Sequence, residues 1–184
     1  MRLLIIKLGS IGDIIHTLPS LAAIRRALPD TEISWVVEKR SAEIIRGNLL
    51  IDNIIEVDTK GLRRGMRIDE ILLNAGRQIK GLRQFKFDLA VDFQGLLKSA
   101  VIGKLSGAKR RWGFSRKGLR EPPSRILLTD TVETVSRIHV IRKNLALAEG
   151  SLKIDVPDDK FEFPITTYAE HRDEADRIIS AVAN

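Results

Sequence analysis

Apolar residues along this chain follow two alternating patterns, short uninterrupted runs and longer stretches with helical spacing. Residues 3–6 form an uninterrupted aliphatic run, which is typical of a strand buried on both faces of a parallel sheet. Residues 11–27 carry apolar side chains at helical spacing, and Pro19 within them predicts a kink. The first part of the chain therefore predicts a strand, a glycine-containing turn and a helix.

The same alternation continues along the rest of the chain. Short apolar runs predict further strands, the last of them at a sheet edge, over 33–37, 53–57, 87–93 and 110–114. Helical spacing predicts further helices over 41–45, 68–84, 96–105, 139–149 and 166–183. Strands that alternate with helices predict an α/β fold with a Rossmann-like, doubly wound parallel sheet and right-handed crossovers.

Composition narrows the class of protein. With 43% hydrophobic and 30% charged residues among 184, the chain has the composition of a globular protein rather than a disordered or fibrous one. It contains no cysteine, which excludes disulfides and thiolate sites and agrees with a reducing cytoplasm. Lys7 interrupts the first apolar run, and no stretch approaches the roughly 20 apolar residues that span a bilayer. We therefore expect a cytoplasmic protein whose membrane contacts are peripheral.

Positive charge is concentrated in the middle of the chain. Residues 60–125 contain 17 Lys or Arg against 5 Asp or Glu, a local excess of 12 positive charges within a net charge of +7. Such a region attracts nucleic acid, anionic lipid or an acidic small molecule. It predicts an acidic partner without naming it, and part of this charge is expected to lie on solvated helix faces.

The loop after the first strand is a candidate ligand site, because ligands of open α/β sheets bind beyond the carboxyl ends of the strands. The sequence KLGSIGDIIHTLP, residues 7–19, places Gly9 and Gly12 in that loop. Glycines let the backbone approach a ligand, and the following helix N-terminus presents N–H groups to anions. The spacing matches neither the Gly-x-Gly-x-x-Gly dinucleotide motif nor a Walker A loop, so it predicts neither cofactor.

Two roles fit Asp13, which lies at the end of that loop. Ser10 and Asp13 have the spacing of a capping box, in which the serine caps the helix and the acid reaches back to it. Alternatively, the carboxylate accepts a proton from a substrate hydroxyl. The residues alone leave both roles open.

Further candidate ligands are basic. Lys98 follows the segment VDFQGLL in the first turn of a predicted helix. A cation there opposes the helix dipole, which favours a role for Lys98 in ligand binding. Two glycine-punctuated loops, 60–67 and 116–125, carry arginines suited to binding carboxylate or phosphate. His16 and His139 have no ligand partners at metal spacing, so we predict no metal site.

Four motifs in order resemble the bacterial lipopolysaccharide heptosyltransferases, and the type that adds the first heptose is the closer likeness. They are KLGSIGDIIHTLP after the first strand, WVVE at the end of the second, DFQGLLKSA after a later strand, and REP after the Trp-Gly pair. The resemblance covers nearly the whole chain. It implies the GT-B fold, in which two Rossmann-like domains face each other across a cleft, with the acceptor in the first and ADP-heptose in the second.

The resemblance also implies an activity and its residues. The family transfers L-glycero-D-manno-heptose from ADP-heptose to Kdo of lipid A with inversion, without a metal or a cofactor beyond the donor substrate. Asp13 matches the catalytic base. The implied acceptor ligands share a position in or beside the glycine and basic loops, and are Gly9, Ser10, Gly12, Arg63, Arg64, Arg67, Lys98 and Arg120. Arg63, Arg64 and Arg67 match the family only in character.

Only the first of the two domains has a counterpart here. We expect residues 1–165 to form the Rossmann-like acceptor-binding domain and residues 166–184 a helix that leads to a donor-binding domain outside this sequence. The 184-residue chain alone is then expected to bind acceptor at the cytoplasmic face of the inner membrane without consuming ADP-heptose. The alternative is a non-catalytic basic Rossmann-like module that binds an anionic ligand or nucleic acid, although 5% aromatic residues argue against base stacking.

Overall fold

In the part of the chain that the structure describes, six parallel strands form one central sheet. The structure is a computed structural model that describes residues 1–58, 81–135, 138–156, 161–167 and 169–182. The strands are β1 (Arg2–Ile6), β2 (Glu32–Glu38), β3 (Asn53–Val57), β4 (Leu89–Asp92), β5 (Arg110–Phe114) and β6 (Asp130–Val132). Their order in the sheet is β3-β2-β1-β4-β5-β6, and every neighbouring pair is parallel. This is the doubly wound order of a Rossmann fold, which confirms the predicted fold class.

The expectation that 110–114 is an edge strand is wrong. β6 lies outside β5, with Trp112 paired to Asp130 and Phe114 to Val132. β6 contains only three residues, Asp-Thr-Val, so it is too short to show an alternating or uninterrupted apolar pattern.

In the described residues, five α-helices connect or follow the strands. They are α1 (Ile11–Ile15), α2 (Leu18–Ala27), α3 (Leu97–Leu105), α4 (Val140–Leu152) and α5 (Ala169–Val182). The single helix predicted over residues 11–27 is divided at His16 and Thr17. Pro19 explains the division, because proline lacks the N–H that continues a helix and is well placed in the first turn of the next one.

Three further segments of the described residues are 3-10 helices, Lys39–Ile45, Gly81–Phe85 and Pro122–Leu127. The first confirms a short helix after β2, in a tighter form than expected. The helix predicted over residues 68–84 lies outside the described residues up to residue 80, and the described end of it is the second 3-10 segment.

The core consists of two apolar layers, one on each face of the sheet. Leu3 and Ile5 of β1 belong to one cluster, whereas Leu4 and Ile6 belong to the other. Successive residues of a strand point to opposite faces, so an uninterrupted aliphatic strand supplies both layers. This arrangement explains why β1 reads as four consecutive apolar residues.

Trp35 of β2 forms a hydrogen bond with the loop that follows β1. Its side chain is fully buried, and its Nε1 donates a hydrogen bond to the backbone carbonyl of Lys7 over 3.1 Å. The backbone N–H of Lys7 in turn donates to the carbonyl of Val36.

Within the described residues, no helix has the length and apolar content needed to cross a membrane.

Replacement of Trp35 by phenylalanine should destabilise the fold by about 2 kcal/mol or more. The change removes ring volume from the core and leaves the buried Lys7 carbonyl without its partner. Chemical denaturation measures the free energy of unfolding.

Trp112→Phe is the matched control. The Nε1 atom of Trp112 is buried with no hydrogen-bond partner among the described residues, so the same ring change there breaks no bond. An equal loss in the two variants would show that the Trp35 hydrogen bond contributes nothing.

Candidate functional site

The candidate site lies where β1 and β4 are neighbours in the centre of the sheet. β2 and β3 continue to one side of this pair, and β5 and β6 to the other. The connections after β1 and β4 therefore leave in opposite directions, and a crevice opens at the carboxyl ends of the two strands. Both glycine-containing motifs singled out in the sequence follow these two strands.

Gly9 shapes the loop after β1. Its φ is +139°, a value that residues with a side chain rarely adopt, and a Cβ there would lie 2.9 Å from the Ser41 hydroxyl oxygen. The peptide bond from Gly9 to Ser10 is cis. By contrast, a Cβ at Gly12 would meet nothing within 4 Å, so that position faces open space. The loop thus lies close against the segment after β2 and leaves the first turn of α1 open.

The Asp13 carboxylate binds Arg120 and does not cap the helix. Arg120 Nη2 donates to Asp13 Oδ1 over 2.9 Å, and Nη1 donates to Oδ2 over 3.3 Å. Ser10 occupies the N-cap position of α1 without a side-chain capping hydrogen bond. The capping-box role is therefore wrong for this pair, and the carboxylate instead joins a bidentate ion pair across the crevice. The Asp13 side chain is 16% exposed and that of Arg120 is 53% exposed.

A second glycine brings Arg120 to Asp13. Gly95, in the turn after β4, has φ +69°, and a Cβ there would lie 3.4 Å from the backbone nitrogen of Arg120. Its carbonyl accepts a hydrogen bond from the Glu121 N–H over 3.1 Å. The Glu121 carboxylate accepts another from the Leu97 N–H at the start of α3 over 2.7 Å. The REP motif is therefore docked on the DFQGLLKSA motif.

Lys98 binds a carboxylate at the end of β2. Its Nζ donates to Glu38 Oε1 over 3.3 Å. The Glu38 side chain is 4% exposed, whereas that of Lys98 is 44% exposed. A buried carboxylate thus holds the amine at the rim of the crevice. Glu38 also gives a structural reason for a cation in the first turn of α3, which the sequence analysis did not identify.

A buried carboxylate orders the turn after β4. Asp92 Oδ1 accepts hydrogen bonds from the N–H groups of Gln94 and Gly95, and Oδ2 accepts one from the Ser99 hydroxyl over 2.8 Å. The Gln94 side-chain oxygen accepts from the Leu8 N–H, which ties this turn to the β1 loop. Burial raises the pKa of the Asp92 carboxyl to about 6, although its hydrogen bonds act in the opposite direction.

Lys7 is a buried cation beneath the crevice. Its Nζ donates to the Phe93 carbonyl over 3.0 Å. Burial lowers the pKa of the Lys7 amine to about 8, the negative charges of Asp13 and Asp92 raise it, and the positive charge of Arg120 lowers it. Lys7 therefore contributes its charge to the field around the Asp13–Arg120 pair without reaching the surface.

Lys143 of α4 supports the loop that carries Arg120. Its Nζ donates to the Gly118 carbonyl over 2.5 Å and lies 4.3 Å from the centre of the Phe114 ring. Burial, and after it the charge of Arg120, lowers the pKa of the Lys143 amine. The contact with Gly118 fixes the loop two residues before Arg120.

The two histidines near the crevice contact each other. The rings of His16 and His139 pack edge to face with centroids 5.9 Å apart. His139 Nδ1 accepts from the Ile141 N–H and caps α4. Asn144 donates to the carbonyl of His16, which joins α4 to the end of α1. In the described ranges, no three His, Cys, Asp or Glu side chains form a cluster that could hold a metal ion.

The expected site residues fall into two groups. One group lies on the loops and first helical turns at the carboxyl edge of the sheet and comprises Gly9, Ser10, Gly12, Asp13, Lys98 and Arg120. The other comprises Arg63, Arg64 and Arg67, which lie outside the described residues. The roles of both groups as ligands stay predictions.

Sequence reasoning missed four charged residues that support the crevice, namely Lys7, Glu38, Asp92 and Lys143. Three of them carried a usable signal, because they lie directly at the carboxyl ends of buried strands, where a charged side chain needs a partner. Lys143 gave no such signal, since a lysine in a helix is ordinary.

The Asp92→Asn variant should lose a pH dependence that the unchanged protein has. The folded chain holds a proton between pH 3.8 and about 6 that the unfolded chain releases, so its free energy of unfolding falls as the pH rises through this window. The decline should reach about 3 kcal/mol. In the variant the amide keeps an acceptor for Gln94 and Gly95, and the Ser99 hydroxyl can donate to the Leu96 carbonyl, 2.7 Å away.

Urea denaturation at pH 4, 5, 6 and 7 measures this difference. Asp130→Asn is the control, because the Arg110 hydrogen bond lowers the pKa of Asp130 and its contribution to stability has the opposite sign. Parallel pH profiles for the unchanged protein and Asp92→Asn would contradict the expectation.

Comparison with known proteins identifies the family. A model of glycosyltransferase family 9 (heptosyltransferase) matches residues 75–180. Lipopolysaccharide heptosyltransferase 1 of Pseudomonas aeruginosa is 32% identical over 160 residues, covering 86% of this chain and 44% of that protein. The Escherichia coli K12 protein of the same name is 26% identical over 168 residues, covering 91% of this chain and 53% of that protein. The chain spans about half the length of the curated relatives it matches.

The fold agrees with this sequence similarity. The solved structure of the E. coli heptosyltransferase WaaC with ADP matches with a TM-score of 0.81 at 27% identity, covering 89% of this chain and 51% of that chain. This match confirms the expected Rossmann-like half of a GT-B glycosyltransferase. Because the family model also matches more than half of its residues, the chain belongs to glycosyltransferase family 9, the heptosyltransferase family.

Proposed function

We propose that this chain is the acceptor-binding half of a heptosyltransferase that transfers L-glycero-D-manno-heptose from ADP-heptose to Kdo of the lipopolysaccharide inner core, with inversion and without a metal. Residues 1–165 form the acceptor-binding domain in this proposal, and residues 166–184 lead to a donor-binding domain. The observation that carries the proposal is the Asp13–Arg120 ion pair at the crevice of a family 9 fold.

Arg120 is already arranged to bind a carboxylate. Its two terminal nitrogens hold both oxygens of Asp13, and the backbone beside it is fixed on the turn at Gly95. Kdo carries a carboxylate of the same shape. When the carboxylate of Kdo replaces that of Asp13 on the guanidinium, one ion pair is exchanged for another and the Asp13 oxygens are released.

The released Asp13 is positioned to act as the general base. As the Kdo hydroxyl oxygen attacks the anomeric carbon of the heptose, the bond from that carbon to the phosphate oxygen of ADP breaks. The hydroxyl proton passes to the Asp13 carboxylate, and the bonding electrons leave with ADP. Such a base contributes about 10²–10⁴ in rate. Alignment of the two sugars in one cleft contributes more.

The basic residues around the crevice fit an acceptor with several negative charges. Lys98 lies at the rim of the crevice and forms an ion pair with the buried carboxylate of Glu38. At that position it can bind a second anionic group of the acceptor. Arg63, Arg64 and Arg67 are proposed to add to this binding from their loop. The same charge favours peripheral contact with the anionic cytoplasmic face of the inner membrane.

The acceptor exchange predicts opposite effects for the two members of the ion pair. In the 184-residue chain, Arg120→Ala should weaken binding of a soluble Kdo-containing acceptor by about 10- to 100-fold, because it removes a bidentate charged partner. Asp13→Asn should leave binding unchanged or tighter, because it removes the carboxylate that competes for Arg120. Isothermal titration calorimetry measures both affinities.

Asp130→Asn is the matched control. Asp130 forms an ion pair of similar geometry with Arg110, with distances of 3.0 and 3.3 Å, at the opposite edge of β5 and β6. This variant should bind the acceptor normally. If Asp13→Asn weakened binding as much as Arg120→Ala, the pair would be a structural unit and the exchange would be wrong.

Transfer itself requires a donor-binding half. The chain alone should leave ADP-heptose unconsumed, whereas a fusion of residues 1–165 to the C-terminal half of the P. aeruginosa relative should release ADP in the presence of Kdo-lipid A. Asp13→Asn in that fusion should reduce kcat by about 10²–10⁴. An Asp13→Asn fusion with the unchanged rate would remove Asp13 from the chemistry.

Titration with oligonucleotides and with the Kdo acceptor distinguishes the proposed function from that of a basic binding module. A nucleic-acid-binding module would show an affinity for oligonucleotides that falls steeply with salt and would ignore Kdo. The proposed acceptor half should show Kdo binding that depends on Arg120 and only weak, nonspecific oligonucleotide binding at physiological salt.

A further inference from the structure

A second basic cavity lies at the opposite, amino-terminal edge of the sheet. Its volume is about 480 Å³, and its lining residues are Arg83, Lys86, Phe87, Ser106, Gly107 and Lys109. These residues precede β4 and β5 or follow α3, so the sheet separates the cavity from the crevice that holds Asp13. The proposed transferase site therefore does not account for it.

Positive charge in this cavity is only partly neutralised. Among the described residues, Arg83 and Lys86 have no carboxylate partner. Lys109 Nζ lies 3.6 Å from Asp88 Oδ1. The pKa of the Asp88 carboxyl is lowered because the Arg2 backbone N–H donates to it and the Lys109 amine lies nearby. Within the described ranges, the three cations of the cavity thus have one ionised carboxylate, which pairs with Lys109. Like charges gathered in one cavity repel each other unless an anion joins them.

The cations are held in place by the backbone and by the end of α3. Arg83 Nε donates to the Leu105 carbonyl over 3.1 Å, which fixes the guanidinium against the last turn of the helix. Lys86 has φ +51°, in the left-handed region that glycine or asparagine adopts more readily. The hydrogen bond from the Lys86 N–H to the Arg83 carbonyl closes a tight turn there, so the backbone brings the two basic residues close together.

The remaining walls suit an anion that carries an organic group. Phe87 is buried and stacks on Phe85, with ring centroids 5.5 Å apart, so one wall is rigid and apolar. The volume is within the range of small-molecule sites and is larger than a bare tetrahedral anion requires. Three cations beside one aromatic wall fit a phosphate group attached to a less polar body.

We propose that the amino-edge cavity binds the phosphate group of a phosphate ester through Arg83, Lys86 and Lys109. Among the described residues, two of the three cationic groups have no carboxylate partner, and Phe87 lines the cavity where it would contact the body of the ester. The site is independent of the Asp13 crevice. It accounts for part of the positive charge between residues 60 and 125 that the acceptor does not contact.

Titration of the 184-residue chain with inorganic phosphate, followed by amide NMR, tests the site. The amide signals of Gly107 and Lys109 should shift with saturation, while those of Gly9 and Asp13 should not. The double variant Arg83→Gln, Lys86→Gln should weaken this binding by at least tenfold. The double variant Lys117→Gln, Lys153→Gln is the matched control, because it removes two exposed lysines outside the cavity and should change the affinity less than twofold.

Thermal unfolding of both double variants checks that each is folded, and each should melt within a few degrees of the unchanged protein. A second arm distinguishes a free phosphate ester from a lipid headgroup. Vesicles of phosphatidylglycerol and of phosphatidylcholine are sedimented with each variant. Cosedimentation with phosphatidylglycerol alone, lost in Arg83→Gln, Lys86→Gln but kept in the control, would assign the phosphate to a lipid.

Binding of inorganic phosphate with no preference for phosphatidylglycerol would assign the site to a free phosphate ester. Equal losses in the two double variants in both arms would show attraction to net charge alone and would overturn the proposal. Absence of saturable shifts at Gly107 and Lys109 together with absence of vesicle binding would overturn it as well.

Discussion

The ion pair between Asp13 and Arg120 is the interaction on which the candidate site depends. It joins the loop after β1 to the loop after β5 across the turn that follows β4. Each oxygen of Asp13 accepts one hydrogen bond from Arg120, so the guanidinium occupies one lone pair of each oxygen. In the proposed function, the carboxylate of the acceptor replaces that of Asp13 on Arg120. In that proposal, acceptor binding and the release of Asp13 from Arg120 are one event.

A layer of buried polar groups holds this pair in position. Asp92 orders the turn at Gln94 and Gly95, and the Gln94 side chain reaches the Leu8 N–H of the other loop. Lys7 adds a hydrogen bond to the Phe93 carbonyl. Buried charges cost free energy unless they have partners, and here Asp92 has partners in its own turn and in α3, whereas Lys7 has one in the neighbouring turn. The hydrogen bonds from Lys7 to Phe93 and from Leu8 to Gln94 join the two sides of the crevice.

The sequence predicts most of the fold because the fold depends on strong local patterns. The sheet was predicted from the aliphatic run of β1 and the short apolar runs of β2, β3 and β4. Its doubly wound topology was predicted from the alternation of strands with helices. Where the pattern was short it failed, as for the three residues of β6. The division between α1 and α2 was predicted only as a kink, since a proline in a helical pattern does not specify whether the helix bends or restarts.

The site was less predictable, because its contacts join residues far apart in the sequence. Ser10 and Asp13 have the spacing of a local cap, yet Asp13 pairs with a residue 107 positions away. Glu38 and Lys98 pair over 60 positions for the same reason. Spacing reports only local geometry, so the resemblance to heptosyltransferases, rather than the pattern itself, pointed to Asp13 and Arg120 together.

A structure of the chain with a bound Kdo sugar tests the exchange most directly. We expect the Arg120 guanidinium to bind the sugar carboxylate with both terminal nitrogens, and a Kdo hydroxyl to lie within hydrogen-bonding distance of a released Asp13 oxygen. A complex in which the sugar is bound while Arg120 still holds both oxygens of Asp13 would contradict the mechanism.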